Sequence, residues 1–228
     1  MTTTTTAVLL DIDGTLIDST YHHAVAWHRA FSRHITPPPI WLVHRAIGMG
    51  GDKLVAHVTD EETEERLGDD LRDAWREEYL ALRHEVRPLP GARALVESLR
   101  DRGFRVALAS SGDPEFSREA VELVGIGDAI DLLTTSEDVD ESKPEPDLLG
   151  ETLRRLGGVD RAVLVGDTVY DVESASRAQM CCLSVLTGGV AEAELEAAGS
   201  ALVAAGPGDL VDLDDAAWEG YLSPVGRS

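Results

Sequence analysis

The chain has 228 residues, enough for one large domain or for a core with a smaller companion. Hydrophobic residues make up 43% and charged residues 27%, which excludes a wholly disordered chain or a fibre. A formal net charge of −22 gives no general attraction for nucleic acid or an anionic membrane, and no apolar run approaches the ~20 residues of a span. The opening MTTTTTAVLLD has no basic segment before its short apolar run, so it is not read as a signal peptide. The Thr2–Thr6 run is read as a frayed end. Cys181 and Cys182 are adjacent in an apolar run and read as reduced core residues of a cytoplasmic protein.

In chain order, residues 7–11 (AVLLD) read as a buried parallel strand ending in Asp. Further strands are predicted at 105–109, 129–134, 161–165 and 180–186, with a weaker one at 201–204. Helical patterns fall between them at 91–102, 114–124, 146–156 and 171–179. This alternation predicts a parallel α/β sheet of Rossmann type, covered on both faces, with its ligand site beyond the C-terminal strand ends. Residues 19–87 interrupt it. They show helical stretches at 20–34, 40–46, 52–58 and 61–83 and no convincing strand. The expected division is therefore a core of 1–18 and 88–228 with an inserted helical domain at 19–87. The turn-rich return through Arg87-Pro-Leu-Pro-Gly91 fits a hinge.

Four pieces carry chemistry. Asp11-Ile-Asp13-Gly14-Thr15 ends the first strand, and its two carboxylates suit a nucleophile beside an acid–base partner. Gly166-Asp167-Thr168-Val169-Tyr170-Asp171 puts carboxylates at the tip of a second strand, where Asp11 and Asp167 would converge into a Mg²⁺ site. Ser110-Ser111-Gly112 follows a third strand and offers hydroxyls and amides to phosphate. Lys143-Pro144 follows an acidic stretch and supplies a cation. Taken singly, each piece also fits an acidic turn, a helix cap or a surface residue. Lys143 and Lys53 are the two lysines among 20 basic residues, so each is singled out as a compact charge.

In this order, each at a strand tip or in the loop after it, the pieces resemble the haloacid dehalogenase-like (HAD) superfamily. The match is to its subgroup with a helical cap after the first motif. Asp18-Ser19, His23-xx-Ala26-Trp27 and Pro90-Gly91 extend the resemblance over nearly the whole chain. It implies that Asp11 attacks phosphorus and that Asp13 is the acid–base partner, which requires neighbours that raise its pKa. It also implies that Asp11, the Asp13 carbonyl and Asp167 hold Mg²⁺, with Asp171 supporting the metal waters or orienting Lys143. Ser110, Ser111 and Lys143 would bind phosphate. Dehalogenases of the superfamily lack the second Asp, so Asp13 favours phosphoryl chemistry. The implied activity is a phosphatase of the phosphoglycolate phosphatase type, acting on a small phosphorylated metabolite. A β-phosphoglucomutase-like enzyme is the alternative, but glycines stand in the cap loop where the mutases carry an arginine. A non-catalytic binding domain is disfavoured by the full motif set, and a Schiff-base phosphonate hydrolase would depend on Lys53. Within Gly48-Met49-Gly50-Gly51-Asp52-Lys53, the candidates for substrate contact are Gly50, Gly51 and Lys53; His23 is a fourth. Trp27, Trp41 and Trp75 are expected to pack the cap. A monomer and a dimer are both compatible with the sequence.

Overall fold

The computed structural model describes residues 4–226; residues 1–3 and 227–228, to which the terminal readings extend, lie outside it. Six parallel strands form the sheet: β1 (Thr6–Leu10), β2 (Arg105–Ala109), β3 (Leu132–Thr134), β4 (Arg161–Gly166), β5 (Cys181–Val185) and β6 (Leu202–Ala204). Their order is β3-β2-β1-β4-β5-β6, so β1 and β4 flank the point where the winding reverses. A short β7 (Ser223–Pro224) pairs antiparallel with the start of β4.

Alternation along β1 explains the layering. Val8 and Leu10 face one cluster and Ala7 and Leu9 the other, all with no exposed surface. The first cluster is closed by α5 (Ala92–Asp101), α6 (Pro114–Val124), α10 (Pro207–Val211) and α11 (Asp215–Tyr221). The second is closed by α7 (Asp147–Leu156), α8 (Val169–Arg177) and α9 (Glu192–Ala198). Helix boundaries follow local chemistry. Asp113 caps α6 ahead of Pro114, and Gly125 at φ +74° ends it.

Between β1 and α5 lie α1 (Thr20–His34), α2 (Ile40–Ala46), α3 (Gly51–Val58) and α4 (Glu61–Leu82). They bury a cluster of their own around Trp27, Phe31, Val43, Leu54 and Leu71. Asp60 starts α4 by accepting the Thr63 amide at 2.7 Å, and Glu61, Glu62 and Glu64 suit its N-terminal dipole. The chain leaves and returns side by side. Asp18 N–H donates to the Arg87 carbonyl at 2.9 Å and Leu89 N–H to the Leu16 carbonyl at 2.9 Å.

Several sequence expectations shift. The strand expected at 129–134 begins only at Leu132, because Asp131 bonds the Val106 amide and carbonyl and closes that edge. The helix expected from 171 begins at Val169, since Thr168 caps it. Thr5 and Thr6 are not frayed: Thr6 opens β1, and Thr5 exchanges hydrogen bonds with Asp160. Trp41 does not pack the helical layer; it is 65% exposed. The last 40 residues hold α9 to α11, each short and acidic with one or two buried residues, too few for a helical period to show. Trp218 anchors α11 at 1% exposure against Phe104. Trp218→Ala is expected to cost about 3–5 kcal/mol in urea denaturation, as for other buried tryptophans; a loss below about 1 kcal/mol would mean that α11 is not part of the core.

Candidate active site

Asp11 emerges from the C-terminal end of β1, and its N–H donates to the Val165 carbonyl at 2.9 Å. Ser110 stands at the end of β2 and Asp167 at the end of β4, the two strands paired with β1. Asp11 is 5%, Ser110 1%, Asp167 1% and Lys143 1% exposed, so these polar groups meet in a desolvated space. The switch point of a doubly wound sheet is where such a convergence belongs.

Lys143 is the hub. Its Nζ lies 2.6 Å from Asp11 Oδ1 and 2.7 Å from Asp171 Oδ1. Burial works against the ammonium, but the two carboxylates outweigh it and hold its pKa above the usual lysine value. Asp171 does two jobs. Its Oδ2 accepts from the Thr168 amide at 3.0 Å and hydroxyl at 2.7 Å, capping α8, while Oδ1 faces Lys143.

Charge in this space is unbalanced. Asp11, Asp167 and Asp171 each offer an oxygen within 4.8 Å of one another, against one lysine. Burial pushes Asp11 up to about 7; Lys143 opposes this, and the Asp171 and Asp13 charges add to it. Burial, then the Asp171 and Asp11 charges, holds Asp167 well above the usual carboxylate range. Thr15 donates to Asp167 Oδ1 at 3.1 Å, but Oδ2 is buried with no hydrogen-bond partner among the described residues. That oxygen sits between two glycines. A Cβ on Gly188 would lie 1.8 Å from it, and one on Gly14 2.2 Å, so neither position admits a side chain. An orphaned carboxylate oxygen among all-oxygen donors fits a hard divalent cation.

Asp13 differs from its neighbours. Its Oδ1 accepts from Ser19 Oγ at 2.5 Å and lies 3.0 Å from His23 Nε2. Burial would raise its pKa, but the His23 charge and hydrogen bond and the Ser19 hydroxyl outweigh burial and hold it below the usual range. The neighbours thus lower this pKa, contrary to the expectation for the acid–base partner. His23 lies flat on Tyr79 at 4.0 Å between ring centres. Ser19, noted in the sequence only within the Asp18-Ser19 pair, joins the site through Asp13, and Tyr79, which carried no signal, joins it through His23.

Ser110 Oγ accepts the Gly112 amide at 3.0 Å, which leaves its own proton for a ligand. Ser111 Oγ accepts the Lys143 amide at 3.3 Å and so ties the second serine to the lysine loop. A cavity of about 470 Å³ opens above Asp11, Asp13, Ser110 and Ser111. His23 and Gly51 line it, but Gly50 and Lys53 do not. The Gly50 amide donates to Ser142 Oγ at 3.2 Å, and Ser142 donates to Asp52 Oδ1 at 2.5 Å. Lys53 Nζ sits 2.8 Å from Glu141 and 3.2 Å from the Ser142 carbonyl. In this arrangement Lys53 joins the helical layer to the loop that carries Lys143.

Residues 5–179 match the family of haloacid dehalogenase-like hydrolases. The chain belongs to that family. A hydrolase from Pseudomonas syringae superposes with a TM-score of 0.85 at 30% identity, covering 91% of this chain and 96% of that one. A phosphoglycolate phosphatase of Aquifex aeolicus is 29% identical over 185 residues, covering 75% of this chain and 80% of its own. A validoxylamine A 7'-phosphate phosphatase of Streptomyces hygroscopicus subsp. limoneus is 27% identical over 195 residues, covering 83% and 89%. Within this HAD-like site, Lys143→Ala leaves Asp11 and Asp171 buried without their cation. It is expected to cost about 3–5 kcal/mol by urea denaturation; an unchanged midpoint would show that the lysine is not the group holding those carboxylates.

Proposed function

We propose that this HAD-like hydrolase is a magnesium-dependent phosphatase that cleaves small organic phosphate monoesters through an aspartyl-phosphate on Asp11. The observation that carries the reading is the buried Asp11 carboxylate, 2.6 Å from Lys143 and flanked by Asp13 and the Ser110 hydroxyl under an open cavity. The relatives named for phosphoglycolate and for validoxylamine A 7'-phosphate share a phosphate and differ in the organic part.

In the first half, an Asp11 oxygen bonds to phosphorus while the ester P–O bond breaks, and the departing alkoxide takes a proton from Asp13. In the second half, water attacks phosphorus and gives its proton to Asp13, and the Asp11–P bond breaks to release phosphate. Ser19 and His23 hold Asp13 as a carboxylate in the free protein, which suits the second half. The charge of an arriving phosphate beside Asp13 opposes that and favours the proton needed first. Ser110, backbone amides near Ser111 and Lys143 would orient the phosphoryl oxygens. Asp11, Asp167 and the Asp13 carbonyl would hold Mg²⁺, which when bound offsets negative charge shared by these carboxylates and the phosphoryl group. The helical layer at 19–87 would act as a cap that excludes water.

The mutase alternative needs a second phosphate held at the far end of the cavity. The arginines there are taken: Arg72 pairs with Glu64 and Asp69, and Arg76 with Asp113 and Glu115. The Schiff-base reading loses its cap lysine to Glu141.

Phosphate release from p-nitrophenyl phosphate and a panel of phosphorylated metabolites, with Mg²⁺, tests the proposal. Asp11→Asn is expected to lower kcat by about a thousandfold or more; a variant with near-full activity would rule out Asp11 as nucleophile. Metal binding has its own readout. Mg²⁺ at about a hundred times its Kd should stabilise the protein by about 2.7 kcal/mol. Asp167→Asn should raise the Tm of the metal-free protein by relieving carboxylate repulsion, and should abolish the Mg²⁺ shift. A full Mg²⁺ shift in that variant would place the metal elsewhere.

A further inference from the structure

Two buried oxygens at the Asp167 corner of the site have no partner, and they meet over one glycine. Asp167 Oδ2 is the first; the second is Thr20 Oγ1, on the first residue of α1. Thr20 is 2% exposed, and its hydroxyl makes no hydrogen bond among the described residues. A Cβ on Gly14 would lie 2.5 Å from Thr20 Oγ1 and 2.2 Å from Asp167 Oδ2, so both oxygens border the space over that α-carbon. Gly14 stands at φ +74°, a conformation that suits glycine and keeps the space clear of a side chain. An unpartnered hydroxyl alone would carry nothing, since Thr134 Oγ1 is another. Thr20 differs because its hydroxyl shares this space with the unpartnered oxygen of a carboxylate assigned to the cation.

The start of α1 sends its hydroxyls into the site. Ser19, at the N-cap position, makes no side-chain cap bond; its hydroxyl goes to Asp13. Thr20 follows it and stands on the Asp167 side. Burying a hydroxyl without a partner is costly, and a methyl group in its place would carry no such cost. Mg²⁺ held by few carboxylates keeps several waters, and such waters need acceptors around them. A hydroxyl can accept from one and give its own proton to a carboxylate. Resting on the magnesium reading above, we propose that Thr20 is an outer-sphere partner of the cation. Its hydroxyl accepts a hydrogen bond from a water that the cation carries beside Asp167. Thr20 is thus a positioning residue, and through it a helix of the inserted layer contributes to the cation site.

The test is the dependence of Tm on Mg²⁺ concentration, which reads binding without turnover. Thr20→Val keeps the branched shape and removes the hydroxyl; Thr20→Ser keeps the hydroxyl and removes the methyl. Thr20→Val should need about tenfold more Mg²⁺, or above, for the same rise in Tm, the loss typical of an outer-shell partner. Its metal-free urea midpoint should be no lower than that of the unaltered protein, because the lost hydroxyl had no partner. Thr20→Ser should bind Mg²⁺ nearly as the unaltered protein does. An unchanged Mg²⁺ titration in Thr20→Val overturns the inference and leaves the magnesium reading standing. A lower metal-free midpoint in that variant, or its failure to fold, also overturns it by giving the hydroxyl a structural role. An equal loss of affinity in Thr20→Ser does the same by assigning the effect to the methyl. Absence of any Mg²⁺ shift in the unaltered protein overturns both readings.

Discussion

One lysine ammonium is set against three carboxylates in a space closed to water, and the rest of the molecule is arranged around that imbalance. Lys143 reaches both Asp11 and Asp171 while 1% exposed, so its charge is spent before any ligand arrives. Asp171 is neutralised twice, by the lysine and by the cap of α8. Asp167 is left with one oxygen unsatisfied, pinned between Gly14 and Gly188. An anion buried there without a partner would cost several kcal/mol, so this carboxyl is held well above the usual carboxylate range. Stability and function pull apart here, as they do where a site must keep an unmet charge.

Much of this was legible because it is local. Asp11, Ser110 and Asp167 each follow an apolar run of strand length, and a parallel sheet brings strand tips together. Lys143 could not be placed by spacing, since its partner Asp11 is 132 residues away. Its rarity, as one of two lysines, drew notice, and the recurrence of all four motifs in order gave it a role. The same limit explains Lys53. Sequence shows a lysine in a glycine-rich loop, but its orientation depends on Glu141 and Ser142, across a fold-level contact. The direction of the Asp13 pKa is hidden in the sequence for the same reason. His23 reaches it from α1, and a neighbour that lowers a pKa is invisible until the helix is seated. The C-terminal helices failed differently. Their burial rests on single residues such as Leu195 and Trp218, and one residue has no period.

The acidity of the chain also resolves into parts. Residues 60–85 carry 11 acidic and 4 basic groups, and four of the acids pair with arginines. Glu64 and Asp69 take Arg72, and Glu77 and Glu78 take Arg33.

The cations divide the work by burial. The seam between helical layer and core is held by Arg45 with Glu194, Arg76 with Asp113 and Glu115, and Arg83 with Glu119, all partly exposed. Lys53 with Glu141 closes the same seam beside the phosphate end. Pairs of this kind contribute about 0–1 kcal/mol each and are screened by salt. A seam so built parts at small cost and reforms with the same geometry, because each guanidinium fork fixes a direction. Lys143 is the opposite case: fully buried, doubly paired and without a low-cost alternative. The weak contacts thus lie along the seam between the two layers, and the strong one lies inside the site.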